Sequence, residues 1–190
     1  MKKIIILLAI IIMPITTFGQ SFFSKYEDLN GVTSGVINQK MFSMIASMNI
    51  ESDDADAKAL LDMAKKIESV KILTTVDKTI SSNLSADVEK YISSTKLEEL
   101  MRFKDGEQTV KFYVKSGKDE NHVKELLMHI TGLKEITKGA DIKVNGEKRD
   151  IETVVVSILG DIDLRQISKL TSQMNIPGGE QLEKAGKGKK

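Results

Sequence analysis

The chain has 190 residues, with 28 basic side chains against 27 acidic ones, no cysteine and no tryptophan. That balance excludes a global electrostatic pull toward nucleic acid or anionic lipid. Without thiols there are no disulfides, thiolate metal sites or cysteine nucleophiles, and without indoles no site built on stacked tryptophan.

The N-terminus reads as a secretory signal peptide. Lys2 and Lys3 precede the unbroken apolar run Ile4–Met13, Pro14 breaks that run, and Thr17-Phe18-Gly19 offers small residues for cleavage before Gln20. A spanning helix needs about 20 apolar residues, so length and flanks favour cleavage over the alternative of a retained anchor. No cysteine follows it, which excludes a lipoprotein. The expected address is the periplasm or the extracellular space. Loss of Lys2 and Lys3 leaves 26 basic residues against 27 acidic. The mature length suits one ordinary core held by packing alone.

No proline occurs between Pro14 and Pro177. This predicts one domain over 31–176, with a lead at 20–30 and a flexible lysine-rich tail at 177–190. Phe22, Phe23 and Tyr26 suggest a small helix or an extended lead. Val32–Ile37 is a candidate strand. Met41, Ile45 and Met48 recur at helical spacing. A second helix is expected from Ala55 to Ile67, opened by Ser52, Asp53 and Asp54. Val70–Thr75 reads as a strand, and Ser85–Ser94 as a helix with Leu84, Val88, Tyr91 and Ile92 on one face.

Asp105-Gly106 lies between two alternating segments, which predicts a hairpin. Val123–Thr131 fits a strand or a helix, and the alternation of Leu126, Met128 and Ile130 favours the strand. Asn145-Gly146 suggests a minor hairpin. Val154–Leu159 reads as a central strand buried on both faces. Asp163 then caps a last helix, with Gln166 completing a capping box and Ile167, Leu170 and Met174 as its stripe. The order of elements implies an α+β fold. A mixed, mainly antiparallel sheet of five or six strands carries about four helices, mostly on one face.

Few residues invite chemistry. His122 follows an acidic loop, and His129 sits in an apolar run opposite to Leu126, Met128 and Ile130. Gly160-Asp161-Ile162-Asp163 lies where a buried strand meets a helix, a place where α/β proteins hold ligands. Asp161, Asp163, His122 and His129 are therefore the candidate ligand-site residues. Capping, a turn, a loop and a strand face explain each of them without a site. There is no G-x-S-x-G, and one Ser-x-x-Lys (Ser93, Lys96) matches no larger pattern. Asp53, Asp54 and Asp56 lack the glycine and distal glutamate of a calcium loop. No P-loop is present. No cofactor, metal or catalytic set is expected. The methionines, among them Met41, Met44 and Met63, read as core filler.

Phe23–Val32 (FSKYEDLNGV), Leu97–Gly106 (LEELMRFKDG), Leu159–Leu164 (LGDIDL) and Asn175–Glu180 (NIPGGE) together resemble the DUF4252 family, a domain of unknown function. The resemblance implies a small exported protein of Bacteroidetes-type bacteria in a single domain. It brings no activity, cofactor or catalytic residue.

The expected function is that of a soluble, non-enzymatic envelope module that binds a protein partner or a small ligand. A carboxylate-dependent hydrolase is the first alternative. Asp161 and Asp163 facing a deep pocket with His122 or His129 nearby would overturn the non-enzymatic reading. A structural role at a membrane surface through Lys184, Lys187, Lys189 and Lys190 is the second. Neither a nucleic-acid partner nor a membrane span after cleavage is expected.

Overall fold

The computed structural model describes residues 18–47, 55–137, 143–144, 147–148 and 150–166. The expected signal run, Met48, the helix-opening residues Ser52–Asp54, the turn Asn145-Gly146, the stripe Ile167–Met174 and the lysine tail lie outside these residues.

Every strand in the main sheet runs antiparallel to its neighbours. In chain order the elements are α1 (Phe18–Glu27), β1 (Val32–Asn38), α2 (Gln39–Ser47), α3 (Ala55–Ala64), β2 (Ile67–Thr75), α4 (Lys78–Thr95), β3 (Glu98–Asp105), β4 (Gln108–Ser116), β5 (His122–Thr131), α5 (Lys134–Thr137), β6 (Lys143–Val144), β7 (Glu147–Lys148) and β8 (Thr153–Asp163). The six-stranded order is β1-β2-β8-β5-β4-β3, and β6 pairs with β7 apart from it. The α+β class is as expected, with an antiparallel rather than mixed sheet.

Directly opposed residues in antiparallel strands share a face. One face carries Leu73, Val155 and His129 in one row, and Lys71, Ser157, Leu127 and Tyr113 in the next. The other carries Val70, Ile158, Leu126 and Val114, then Ile72, Val156, Met128, Phe112 and Met101. Helices divide between the two faces. On the first, α1 and α4 bury Phe22, Phe23, Tyr26, Leu84, Val88 and Tyr91 against Leu73, Leu127 and Val155. On the second, Phe42 of α2 and Met63 of α3 join a cluster with Ile67, Phe112, Leu126 and Ile162. Fully burying an aliphatic or aromatic side chain of this size contributes about 1.5–3 kcal/mol.

Tertiary packing extends α4 beyond its expected start at Ser85. The Asp77 carboxylate caps it by accepting from the Ile80 amide at 2.8 Å, and Lys96 closes it in the left-handed region at φ 56°. Leu84, Val88 and Tyr91 fall on its inward face as the periodicity requires. The aromatic lead forms a helix that clasps α4. Phe22 stacks on Tyr91 with ring centroids 5.4 Å apart. The Tyr26 hydroxyl donates to Asp87 at 2.9 Å, and Lys25 pairs with the same carboxylate. Lys25 is the largest cause of holding the Asp87 pKa down at about 2, against burial and with help from Tyr26 and Lys90.

Several boundaries differ from expectation. The second expected helix stops at Ala64, and Ile67, placed at its end by sequence, opens β2 instead. Its side chain is needed in the core beside Met63. Val123–Thr131 is a strand, as its alternation favoured. The β3–β4 loop is Gly106-Glu107, since Asp105 pairs with Gln108. Gly106 at φ 56° takes the first loop position, where a type II′ turn needs glycine. The turn is thus displaced one residue from Asp-Gly. Residues 143–144 and 147–148 pair as the minor hairpin. Strand β8 is central and flanked on both sides, but it runs on through Asp163. Met41 and Met44 are not core filler. They are 48% and 56% exposed, because α2 turns Phe42 toward the sheet.

Candidate functional site

The sheet register breaks at one end of the central strands. The register shifts at Glu68 of β2, between Ile67 and Ser69, and at Lys124 of β5, between Val123 and Glu125, against both β4 and β8. A bulge bends its strand and re-aims side chains. In β8, Gly160 meets this zone at φ 147°, and the next amide, Asp161, donates to the Lys66 carbonyl at 3.1 Å. A side chain at position 160 would bring its Cβ within 2.3 Å of that carbonyl oxygen.

Between the bulges opens a cleft of about 450 Å³, lined by Glu68, Lys115, Gly117, Lys118, Lys124, Glu125, Leu159, Gly160 and Asp161. Its buried charged member is Glu125, only 3% exposed. Its Oε1 accepts from the Tyr91 hydroxyl at 2.8 Å and from the Ser157 hydroxyl at 3.1 Å. Among the described residues, no hydrogen bond reaches Oε2. Burial pushes the Glu125 carboxyl above the usual carboxylate range, and the Tyr91 and Ser157 hydroxyls and the Lys115 charge pull the other way. Tyr91 is raised as well, first by burial and then by the Glu125 charge. At the rim, Lys118 pairs with Asp161 at 2.7 Å, which lowers the Asp161 carboxyl.

Three of the four expected site residues, Asp161, Asp163 and His122, come together, and His129 lies apart. Asp161 lines the cleft. Asp163 is buried beside it in sequence but is occupied by Arg165, with two contacts at 3.0 and 2.7 Å. It also accepts from the Arg165 amide, opening a helical turn at 164–166 in the manner of a cap. His122 has Nδ1 2.7 Å from Asp119 and Nε2 4.0 Å from Asp163. His129 lies elsewhere, buried under α4 with Nε2 3.2 Å from Ser85 Oγ. Neither histidine, nor Asp163, is among the residues lining the cleft. Among the described residues no group of histidine and carboxylate side chains could hold a metal ion. No helix among them is long and apolar enough to cross a membrane.

Glu125, Tyr91 and Ser157 escaped the sequence reading. A signal was present. Glu125 shares strand parity with Val123, Leu127 and His129, and Ser157 interrupts the run Val154–Leu159. Both become site residues only once α4 is known to cover that face.

Fold and site define an antiparallel α+β domain with a buried carboxylate at the floor of a lysine-rimmed cleft. The chain belongs to the family described as Domain of unknown function (DUF4252), whose model matches residues 26–170. No curated protein and no solved structure matches it.

Proposed function

We propose that this chain is an exported envelope protein that binds a small polar ligand in the cleft beside Glu125, without transforming it. One observation carries the reading. A carboxylate 3% exposed has one oxygen held by two hydroxyls, while the other takes no hydrogen bond from the described residues, at the floor of an open cleft. A carboxylate oxygen that faces an open cleft without a protein donor is available to accept from a bound group. The apolar run Ile4–Met13, with its cleavage pattern, supports export.

A carboxylate-dependent hydrolase is the second reading, favoured by the presence of Glu125 and Asp161 on one cleft with pKa values driven apart. The tie of Asp161 to Lys118 weighs against a second acid or base free to act.

Recovery of the protein from its own cell envelope under native conditions tests both parts. The denatured mass should correspond to a chain beginning at Gln20. The native mass should carry an additional small molecule, absent from Leu159→Trp, which fills the cleft, and from the Lys115→Glu, Lys124→Glu pair, which leaves it open. A full-length chain sinks export. An adduct kept by both variants sinks the cleft, and a ligand recovered as its hydrolysis products favours the enzyme.

A further inference from the structure

The cleft carries charges of both signs in equal number: Glu68, Glu125 and Asp161 against Lys115, Lys118 and Lys124. A ligand of one sign would leave the opposite set facing it. Lys118 and Asp161 satisfy each other at 2.7 Å. Among the described residues, neither Lys115 nor Lys124 has an ion-pair partner, and Glu125 Oε2 takes no hydrogen bond. The floor therefore asks for a donor, because an ionised carboxylate only accepts. The rim asks for an acceptor, because a lysine ammonium only donates. The volume of about 450 Å³ suits a molecule the size of an amino acid or dipeptide.

We propose that the cleft binds a small zwitterion, its primary ammonium on the free oxygen of Glu125 and its carboxylate between Lys115 and Lys124. This rests on the binding reading above and gives it a ligand class. Tyr91 and Ser157 have a positioning role. By engaging Oε1 they fix the carboxylate plane and leave Oε2 toward the cleft. The ammonium supplies the hydrogen-bond donor that Oε2 lacks, adding to the charge Lys115 exerts from the strand opposite, and the charged hydrogen bonds at both ends set the ligand's direction.

Calorimetric titration of the mature chain with L-alanyl-L-alanine, its N-acetylated form, its C-amidated form and glucose separates the possibilities. The free dipeptide should bind, and either modification should weaken it by at least about tenfold, the loss expected for one charge-assisted hydrogen bond. In Glu125→Gln, which keeps an acceptor for Tyr91 and Ser157, N-acetylation should make no further difference, while C-amidation should still weaken binding. Equal binding of the free and capped dipeptides overturns the zwitterion. So does binding of glucose alone, which leaves the cleft a binding site for another class. Silence from all four compounds also overturns it, and the native-mass measurement then decides the cleft independently.

Discussion

Acidification from pH 6.5 to 4 should remove about 3 kcal/mol of folding stability through His129 alone, since burial pulls its pKa from 6.5 down to about 4. The cause is structural. His129 sits on β5 at 5% exposure, covered by α4, between Lys111 on β4 and Val155 on β8. Burial is the larger cause, and the Lys111 charge adds to it. The sign follows from proton uptake. Between the two pKa values the unfolded chain takes a proton that the folded chain refuses, so stability falls as pH falls through this window. Glu125 acts in the opposite direction. Its carboxyl is raised in the fold, so its contribution is complete below 4.5 and is lost as pH rises through the folded value. Asp87 loses its contribution only below 3.8, as pH falls toward about 2. The difference between wild type and His129→Gln isolates the histidine. Urea unfolding of both at pH 7 and pH 4 should show the variant sparing most of that loss. Parallel losses would place the acid sensitivity elsewhere.

Replacement of Gly160 by valine should destabilise the fold by about 4 kcal/mol, combining a backbone conformation that side chains rarely adopt with overpacking. At φ 147° the glycine lies in that region, and an added Cβ would stand 2.3 Å from the Lys66 carbonyl and 2.9 Å from the Ile67 Cα. These are backbone atoms at the start of β2, so relief requires the strand to move. That movement breaks the Asp161–Lys66 hydrogen bond and shifts Glu68 at the cleft wall. Gly35→Ala is the contrast. Its Cβ meets only Ile72 Cβ at 3.9 Å, an ordinary contact. Thermal unfolding should show a large loss for Gly160→Val and almost none for Gly35→Ala. Similar midpoints for the two would mean that β2 yields freely and that the cleft is not rigidly built.

Much of the fold was legible in the sequence because its periods are strong. Leu84, Val88 and Tyr91 set the inward face of α4, Val110, Phe112 and Val114 set one face of β4, and the β-branched run from Val154 identified a central strand. Ends were harder to place. Ile67 fits a helical stripe and a strand equally well, and only its contact with Met63 decides between them. The site was concealed for a related reason. Leu126, Met128 and Ile130 mark one buried face of β5, and the alternate set, with Glu125 and His129, then reads as solvent-facing. A second helical layer reverses that reading, and a layer is not encoded in any local pattern. Bulges are equally silent. Glu68 and Lys124 look like ordinary surface charges until the register shifts that turn them to the cleft are known.

The claim that the cleft between the bulges is where this chain binds can be measured most directly by backbone-amide shift mapping during titration with a library of small polar metabolites. Compounds that bind should shift Glu68, Gly117, Lys118, Lys124, Glu125, Gly160 and Asp161 together. Binders that instead move Val36, Met41 and Met44, exposed on β1 and α2, while the cleft signals stay still, would contradict it.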